Sequence, residues 1–223
     1  MLTREAAPLR AQAVKFLRDK IVSGEYAPRT RLTEKRLEEE LGVSRTVVRE
    51  ALRQLETENL IEIAPNIGPM VRGLTYDDVV HLYQVRAALE SAAGRLAAEV
   101  GSPEDVGQLR VLLDKVGAHG QDADVPELVQ LKNDFYSQLV RTSGNPVIGE
   151  MLANVQARIS QMRSVTLSAP GRLSTMLAEL GQVVDAIEAG DAARAEQLCR
   201  AHVEAAAEIA LAHVAESADR EVD

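Results

Sequence analysis

Apolar residues recur at helical spacing over residues 8–23, where Leu9, Ala13, Phe16, Leu17 and Ile21 share one stripe and Gly24 stands just past its end. This pattern predicts a helix stopped by a glycine. Thr33 then precedes a short run with Leu37 and Leu41 on one side. Gly42 interrupts it, and Ser44 stands where it can cap a helix from about Arg45 to Glu58 with Val48, Ala51, Leu52 and Leu55 inward. Two short helices joined by a tight glycine-containing turn, the second carrying basic and hydroxyl residues, form the pattern of a helix-turn-helix. Residues 60–63 and 70–72 read as short strands around the turn-forming segment 64–69, so a hairpin wing is expected directly behind it.

The texture changes at Thr75. Thr75 and Asp78 have the spacing of a capping pair, and a long helix is predicted to about Val100 with Leu82, Val85, Leu89, Ala92, Ala93 and Leu96 buried. Pro103 opens the next helix, which ends near Gly117 to Gly120; Val125-Pro126-Glu127 opens another through Leu128, Leu131, Phe135 and Leu139. Asn145-Pro146 opens a helix with Ile148, Met151, Leu152, Val155, Ile159 and Met162 inward. After a break at residues 168–171, two more span about 172–189 and 192–215. The expected fold is therefore mainly α. A winged helix-turn-helix with a small β-hairpin wing fills residues 1–74, and an antiparallel bundle of about six helices fills 75–223, joined by a short linker at about Arg72 to Thr75.

Composition agrees with helices packed on helices: 46% of the 223 residues are hydrophobic, aromatics are 3%, and Trp is absent. Cys199 is the single cysteine, the Cys and His spacing is unlike a zinc finger, and the N-terminus lacks the apolar core of a signal peptide. No run approaches the roughly 18 apolar residues of a membrane span. A soluble, cytoplasmic protein without membrane contact is expected.

Charge changes the picture more than composition does. The net charge of −9, taken as an average, argues against a polyanionic partner. Residues 1–75, however, hold 13 Lys+Arg against 11 Asp+Glu, whereas residues 76–223 hold 12 against 23. Arg45, Arg49 and Arg53 recur every four residues and so share one helical face. That face is either a solvated surface paired with Glu50 and Glu56, or a cationic surface for a polyanion.

The run Leu41-Gly42-Val43-Ser44-Arg45-Thr46-Val47-Val48-Arg49-Glu50-Ala51-Leu52-Arg53-Gln54-Leu55, with Arg31-Leu32-Thr33 before it and Asn59-Leu60-Ile61 and Pro65-Asn66-Ile67-Gly68 after it, resembles the winged-helix domain of GntR-family transcriptional regulators. The helical remainder resembles the FadR-type ligand-sensing (FCD) domain of that family, through Tyr83-Gln84-Val85-Arg86, Leu89-Glu90, Ser143-Gly144-Asn145, residues 186–191 and Arg200-Ala201-His202. Two departures stand out: Val47 where the family most often has Pro, and Pro28-Arg29 where Pro-Gly is common. The resemblance implies a DNA-facing set of Lys35, Ser44, Arg45, Thr46, Arg49, Asn66 and Gly68. An arginine can fork onto the O6 and N7 of guanine or onto phosphate oxygens. Ser44 also has a plain capping role, and Arg53 stands one turn beyond the set.

Many FadR-type sensing domains hold a divalent metal with one Asp and three His. Here the Asp position carries Lys132, the first two His positions carry Tyr136 and Leu180, and only His202 remains. An ammonium group and a single imidazole do not make such a site, so neither a metal nor another cofactor is expected. Lys132 and Tyr136 lie four apart on one face, as a helix turns about 100° per residue and so points Asp134 elsewhere. With Arg86, Arg158 and His202 they form a candidate site for an anionic effector, holding a carboxylate or phosphate directly. The plain alternatives are a Lys132 that reaches solvent, an Arg86 paired with Glu90, and a His202 satisfied within the core.

The expected protein is thus a homodimeric, effector-controlled regulator, a repressor rather than an activator, on double-stranded operator DNA. An alternative is a DNA-binding dimer whose bundle serves assembly only. No nucleophile–base pair, phosphate-cradling glycine loop or paired-carboxylate signature points to an enzyme.

Overall fold

The stripe predicted for the first helix is buried at Ala13, Leu17 and Ile21, which fix α1 (Ala6–Val22) against α3 (Arg45–Thr57). A computed structural model describes residues 6–118 and 125–222. The chain divides into two compact units, Met1–Gly73 and Leu74–Asp223.

In the first unit, α1 is followed by α2 (Glu34–Leu41), whose inward residue is Leu37. Gly42 ends α2 in the left-handed region at φ 62°, where its N–H returns to the Glu38 carbonyl at 3.0 Å; a side chain there would be strained, which is why the tight turn carries glycine. Val48, Ala51, Leu52 and Leu55 are all buried on α3, as their spacing predicts. Val47 is buried beside them, so the residue that departs from the common Pro is a packing residue. Leu9 and Phe16 turn outward instead, with the Lys20 ammonium 5.0 Å from the Phe16 ring centre.

The wing pairs β1 (Ile61–Ala64) with β2 (Gly68–Val71), antiparallel, with Ile61 opposite Val71 and Ala64 opposite Gly68. Pro65 followed by Asn66 at φ 62° makes the tip turn, as proline can start such a turn and Asn tolerates positive φ. Residues 29–32 lie along the other edge of β2, with Arg29 N–H to Val71 and Leu32 N–H to Pro69, both at 2.8 Å. Arg29 has φ 66°, so its backbone takes the conformation glycine would tolerate where Pro-Gly is common.

The second unit opens with α4 (Tyr76–Val100). Its capping box is complete: Thr75 N–H donates to Asp78 Oδ2 and Asp78 N–H to Thr75 Oγ1, each at 3.1 Å. Next come α5 (Pro103–Ala118), α6 (Val125–Thr142), α7 (Pro146–Arg158), α8 (Gln161–Ser168), α9 (Arg172–Glu188) and α10 (Ala192–Val222). The expected end of the second bundle helix beyond Ala118 falls outside the described residues. One apolar core gathers Leu109, Phe135, Leu139, Met176, Leu180 and Val184, and a second gathers Val79, Leu82, Ile159, Val203 and Ala210.

The bundle departs from the sequence expectation at three places. The helix expected through residue 162 breaks after Arg158, where the Ser160 hydroxyl donates to the Ala157 carbonyl at 2.7 Å and Met162 N–H reaches Ile159. A serine competing for backbone carbonyls divides one helix into two, giving seven helices among the described residues of this unit. Met151 is exposed, although its neighbours Ile148, Leu152 and Val155 are buried. On α4 the buried face includes Arg86, Glu90 and Ser91, while Val85 points to solvent.

Among the helix pairs, α10 packs most extensively on α4. Their approach is close at Gly94, where an added Cβ would lie 2.4 Å from Cys199 Sγ and 3.2 Å from the Ala195 carbonyl oxygen. Gly94→Ala should therefore destabilise this unit by about 1–3 kcal/mol, despite alanine's better helix propensity. Adding Cys199→Ala should restore part of the loss, as read by urea unfolding. An unchanged midpoint for Gly94→Ala alone would show that the crossing has room to spread.

Candidate functional site

Two groups of side chains stand out, one on the surface of the first unit and one inside the second. In the first unit, Lys35, Ser44, Arg45, Thr46, Arg49 and Asn66 are all exposed, and Gly68 is half-buried at the base of the wing turn. Ser44 occupies the cap position of α3 with extended backbone, but its hydroxyl makes no capping hydrogen bond. The expected cap is present in backbone conformation only. Gly68 has φ 92°, a conformation that glycine adopts without strain and other residues rarely do.

Arg45 and Arg49 project side by side because they are one turn apart, and both meet Glu34 at the start of α2. Arg45 Nε donates to one Glu34 oxygen at 2.5 Å and Arg49 Nε to the other at 2.8 Å. These hydrogen bonds, from Arg49 first and Arg45 second, hold the Glu34 carboxyl below its ordinary range. Arg53 turns to Glu50 at 3.0 Å, the local surface pairing expected for it. Glu34 is not among the residues expected at this surface. Its signal was a lone acid at the first position of a helix, eleven residues before Arg45.

In the second unit, four of the five residues expected around an effector converge. Arg86, Lys132, Tyr136 and His202 are each buried to 5% exposure or less. Arg86 Nε donates to Glu90 at 2.7 Å and Arg86 Nη2 to the Tyr136 hydroxyl at 3.1 Å. The Tyr136 hydroxyl lies 2.6 Å from His202 Nε2, and His202 Nδ1 lies 2.6 Å from Glu179 Oε2. Arg172 closes the other end with a two-pronged pair to Glu179 at 2.7 and 2.8 Å. The Lys132 ammonium stands 5.7 Å from the Tyr136 ring centre and is buried, so it does not reach solvent.

The hydrogen-bond roles follow from the charges. Burial pushes His202 down to about 4; the bond to Glu179 opposes this, and the Lys132 and Arg86 cations reinforce it. A neutral ring then donates Nδ1–H to Glu179 and accepts the Tyr136 proton at Nε2, leaving the hydroxyl oxygen to accept from Arg86. Burial alone would raise the Glu179 carboxyl, but the bonds from His202 and Arg172 bring it down to about 2. Arg86 and His202 therefore have the partners that the plain alternatives assigned them, and they also share one network with Tyr136. Arg158 stands at the end of α7, 3.9 Å from Asp78 in the first turn of α4, about two turns before Arg86. Arg172 and Glu179 were not anticipated, although their seven-residue spacing on one helix places them on a common face.

A divalent metal does not suit this donor set. Lys132 brings a cation where a carboxylate would be needed, Leu180 is buried in the apolar core, and Glu179 is already committed to Arg172 and His202. Among the described residues no three His, Cys, Asp or Glu side chains are grouped for a metal ion. A separate open groove lies where Val165 and Pro170 face Ile209 and His213, and it shares no lining residue with the network. Among the described residues no helix is long and apolar enough to cross a membrane.

A model described as "Bacterial regulatory proteins, gntR family" matches residues 9–71, and one described as "FCD domain" matches residues 81–205. An uncharacterized HTH-type transcriptional regulator of Streptomyces ambofaciens is 31% identical over 190 residues, covering 85% of this chain and 79% of its own. Among solved structures, E. coli McbR/YncC superimposes with a TM-score of 0.76 at 25% identity, covering 97% of this chain and 99% of its own. A putative GntR regulator from Rhodococcus sp. RHA1 also gives 0.76, at 27% identity over 91% and 97% of the two chains.

The network predicts a pH dependence. The folded-state value for His202 is depressed from 6.5 to about 4, so the unfolded chain binds the extra proton between these limits. The associated stability is present above pH 6.5 and is lost as pH falls toward 4, by about 3 kcal/mol in all. His202→Gln should flatten this part of the stability profile, measured by urea unfolding at pH 7, 6, 5 and 4. Parallel profiles for the two proteins would refute a neutral buried imidazole.

Proposed function

This chain belongs to the GntR family of bacterial regulatory proteins and carries an FCD domain, and we propose that it is a dimeric repressor whose hold on operator DNA is set by a small anionic effector. It is a transcriptional regulator, and residues 1–74 form the DNA-binding domain in this reading. Arg45 and Arg49 read base edges in a major groove, Lys35, Ser44 and Thr46 meet the phosphate backbone, and Asn66 with Gly68 carries the wing to an adjacent groove. The observation that carries this assignment is the pair of exposed guanidinium groups side by side on α3. Two such heads on one duplex multiply the specificity of each, which favours a two-fold dimer on an inverted repeat. A dimer seated over a promoter also obstructs polymerase, hence repression.

Residues 75–223 serve dimerisation and sensing in the same reading. Arg86, Lys132, Tyr136 and His202 support an anionic ligand, because a carboxylate or phosphate can take over hydrogen bonds now made within the network. Arg158 joins only when its pair with Asp78 opens. The ligand acts by binding one placement of the two DNA-reading heads better than another; without such a difference it shifts nothing. One observation favours a second reading, in which the bundle serves assembly alone: Arg86, Tyr136 and His202 already satisfy one another.

Two experiments separate these readings. Arg49→Ala should lower operator affinity by about 5- to 150-fold, the range for one bidentate base contact, with unchanged thermal unfolding. Equal affinity would remove Arg49 from the set. Thermal unfolding of the full chain against a panel of organic acids, acyl-CoA esters and sugar acids, with and without chelator, tests the sensor. Stabilisation by one anion, abolished in Lys132→Ala and indifferent to chelator, is expected; no response to any of them would favour assembly alone.

A further inference from the structure

Glu34 puts an acid in the middle of a surface assigned to a polyanion. Exposed ion pairs contribute little to stability, so two arginines on one carboxylate are poorly explained as a structural brace. The geometry is more informative. Each arginine uses Nε, Arg45 at 2.5 Å and Arg49 at 2.8 Å, and each takes a different Glu34 oxygen. The Glu34 side chain is 24% exposed, against 62% for Arg45 and 54% for Arg49, so the acid lies behind the two cations as seen from solvent.

A guanidinium held at Nε keeps its outer edge, Nη1 and Nη2, for another partner. Those two donors match the O6 and N7 acceptors of guanine. We propose that Glu34 is a positioning residue for DNA recognition: it holds the outer edges of Arg45 and Arg49 toward the bases and lowers their attraction to phosphate. This rests on the assignment of Arg45 and Arg49 as DNA contacts.

The expected consequence is specificity. Binding to arbitrary duplex is driven almost wholly by cation–phosphate attraction, and the three side chains together carry one net positive charge instead of two. Reading a base depends on orientation, which Glu34 supplies before DNA arrives by restricting two long side chains. Glu34 therefore weakens the hold on arbitrary DNA more than the hold on the operator.

The test uses the full chain, a duplex that the wild-type protein selects from a randomised pool, and a scrambled duplex of equal length. Glu34→Gln keeps the shape and removes the charge. It should bind scrambled duplex about 3- to 10-fold more tightly, steepen the salt dependence of that binding by about one unit, and lower the selected-to-scrambled affinity ratio at least threefold. Glu34→Asp, which retains the charge, should keep the ratio within twofold of wild type. An unchanged ratio in Glu34→Gln, while Arg45→Ala and Arg49→Ala still lose the selected duplex, would overturn the role of Glu34 and leave the DNA assignment standing. Full binding of the selected duplex by both arginine variants would overturn the assignment itself.

Discussion

Charge taken into the interior of a helical bundle must be met there by opposite charge or by hydrogen bonds, and this requirement organises the second unit. Arg86 and Glu90 enter from α4, Lys132 and Tyr136 from α6, Arg172 and Glu179 from α9, and His202 from α10. Sliding any one of these helices by a residue would leave a buried ion or hydroxyl without its partner, at a cost of several kcal/mol for a charge. Apolar contacts tolerate such slips far better, because they have no direction. The network thus gives the bundle a register that leucine and alanine alone would leave loose.

The first unit solves the opposite problem. Its charges lie in water, where single pairs contribute little to stability, and its core of Leu17, Leu37, Val48 and Leu55 holds it together without them. That separation leaves the surface of α3 free of any duty to the core. Among the first unit's described residues three other than glycine, Arg29, Asn59 and Asn66, hold a left-handed backbone, and of these only Arg29 lacks the short polar side chain that tolerates it.

How much of this was legible in the sequence follows from where apolarity and geometry agree. The stripe of α3, the capping box at Thr75 and Asp78, the glycine turn at Gly42 and the hairpin wing were all readable, because each depends on a local pattern. The face of α4 was misplaced for an identifiable reason: periodicity treats Arg86 and Glu90 as solvent-facing, whereas an ion pair four residues apart can be buried whole, which displaced Val85 outward. Met151 was misplaced by the same rule. The break at Ser160 turns on one hydroxyl finding a carbonyl. Glu34, Arg172 and Glu179 left only faint local signals, because what makes them matter is a partner on another element or two turns away.

The closure of the polar network has a kinetic consequence. Arg86, Lys132, Tyr136 and His202 are each almost closed to solvent, so a ligand of the proposed kind would reach them as the packing of the described helices opens. Association would then be limited by how often the helices breathe, and a ligand once enclosed would leave at the same unhurried pace. Under the proposed effector reading, a protein of this construction would integrate over brief fluctuations in concentration and answer to sustained ones.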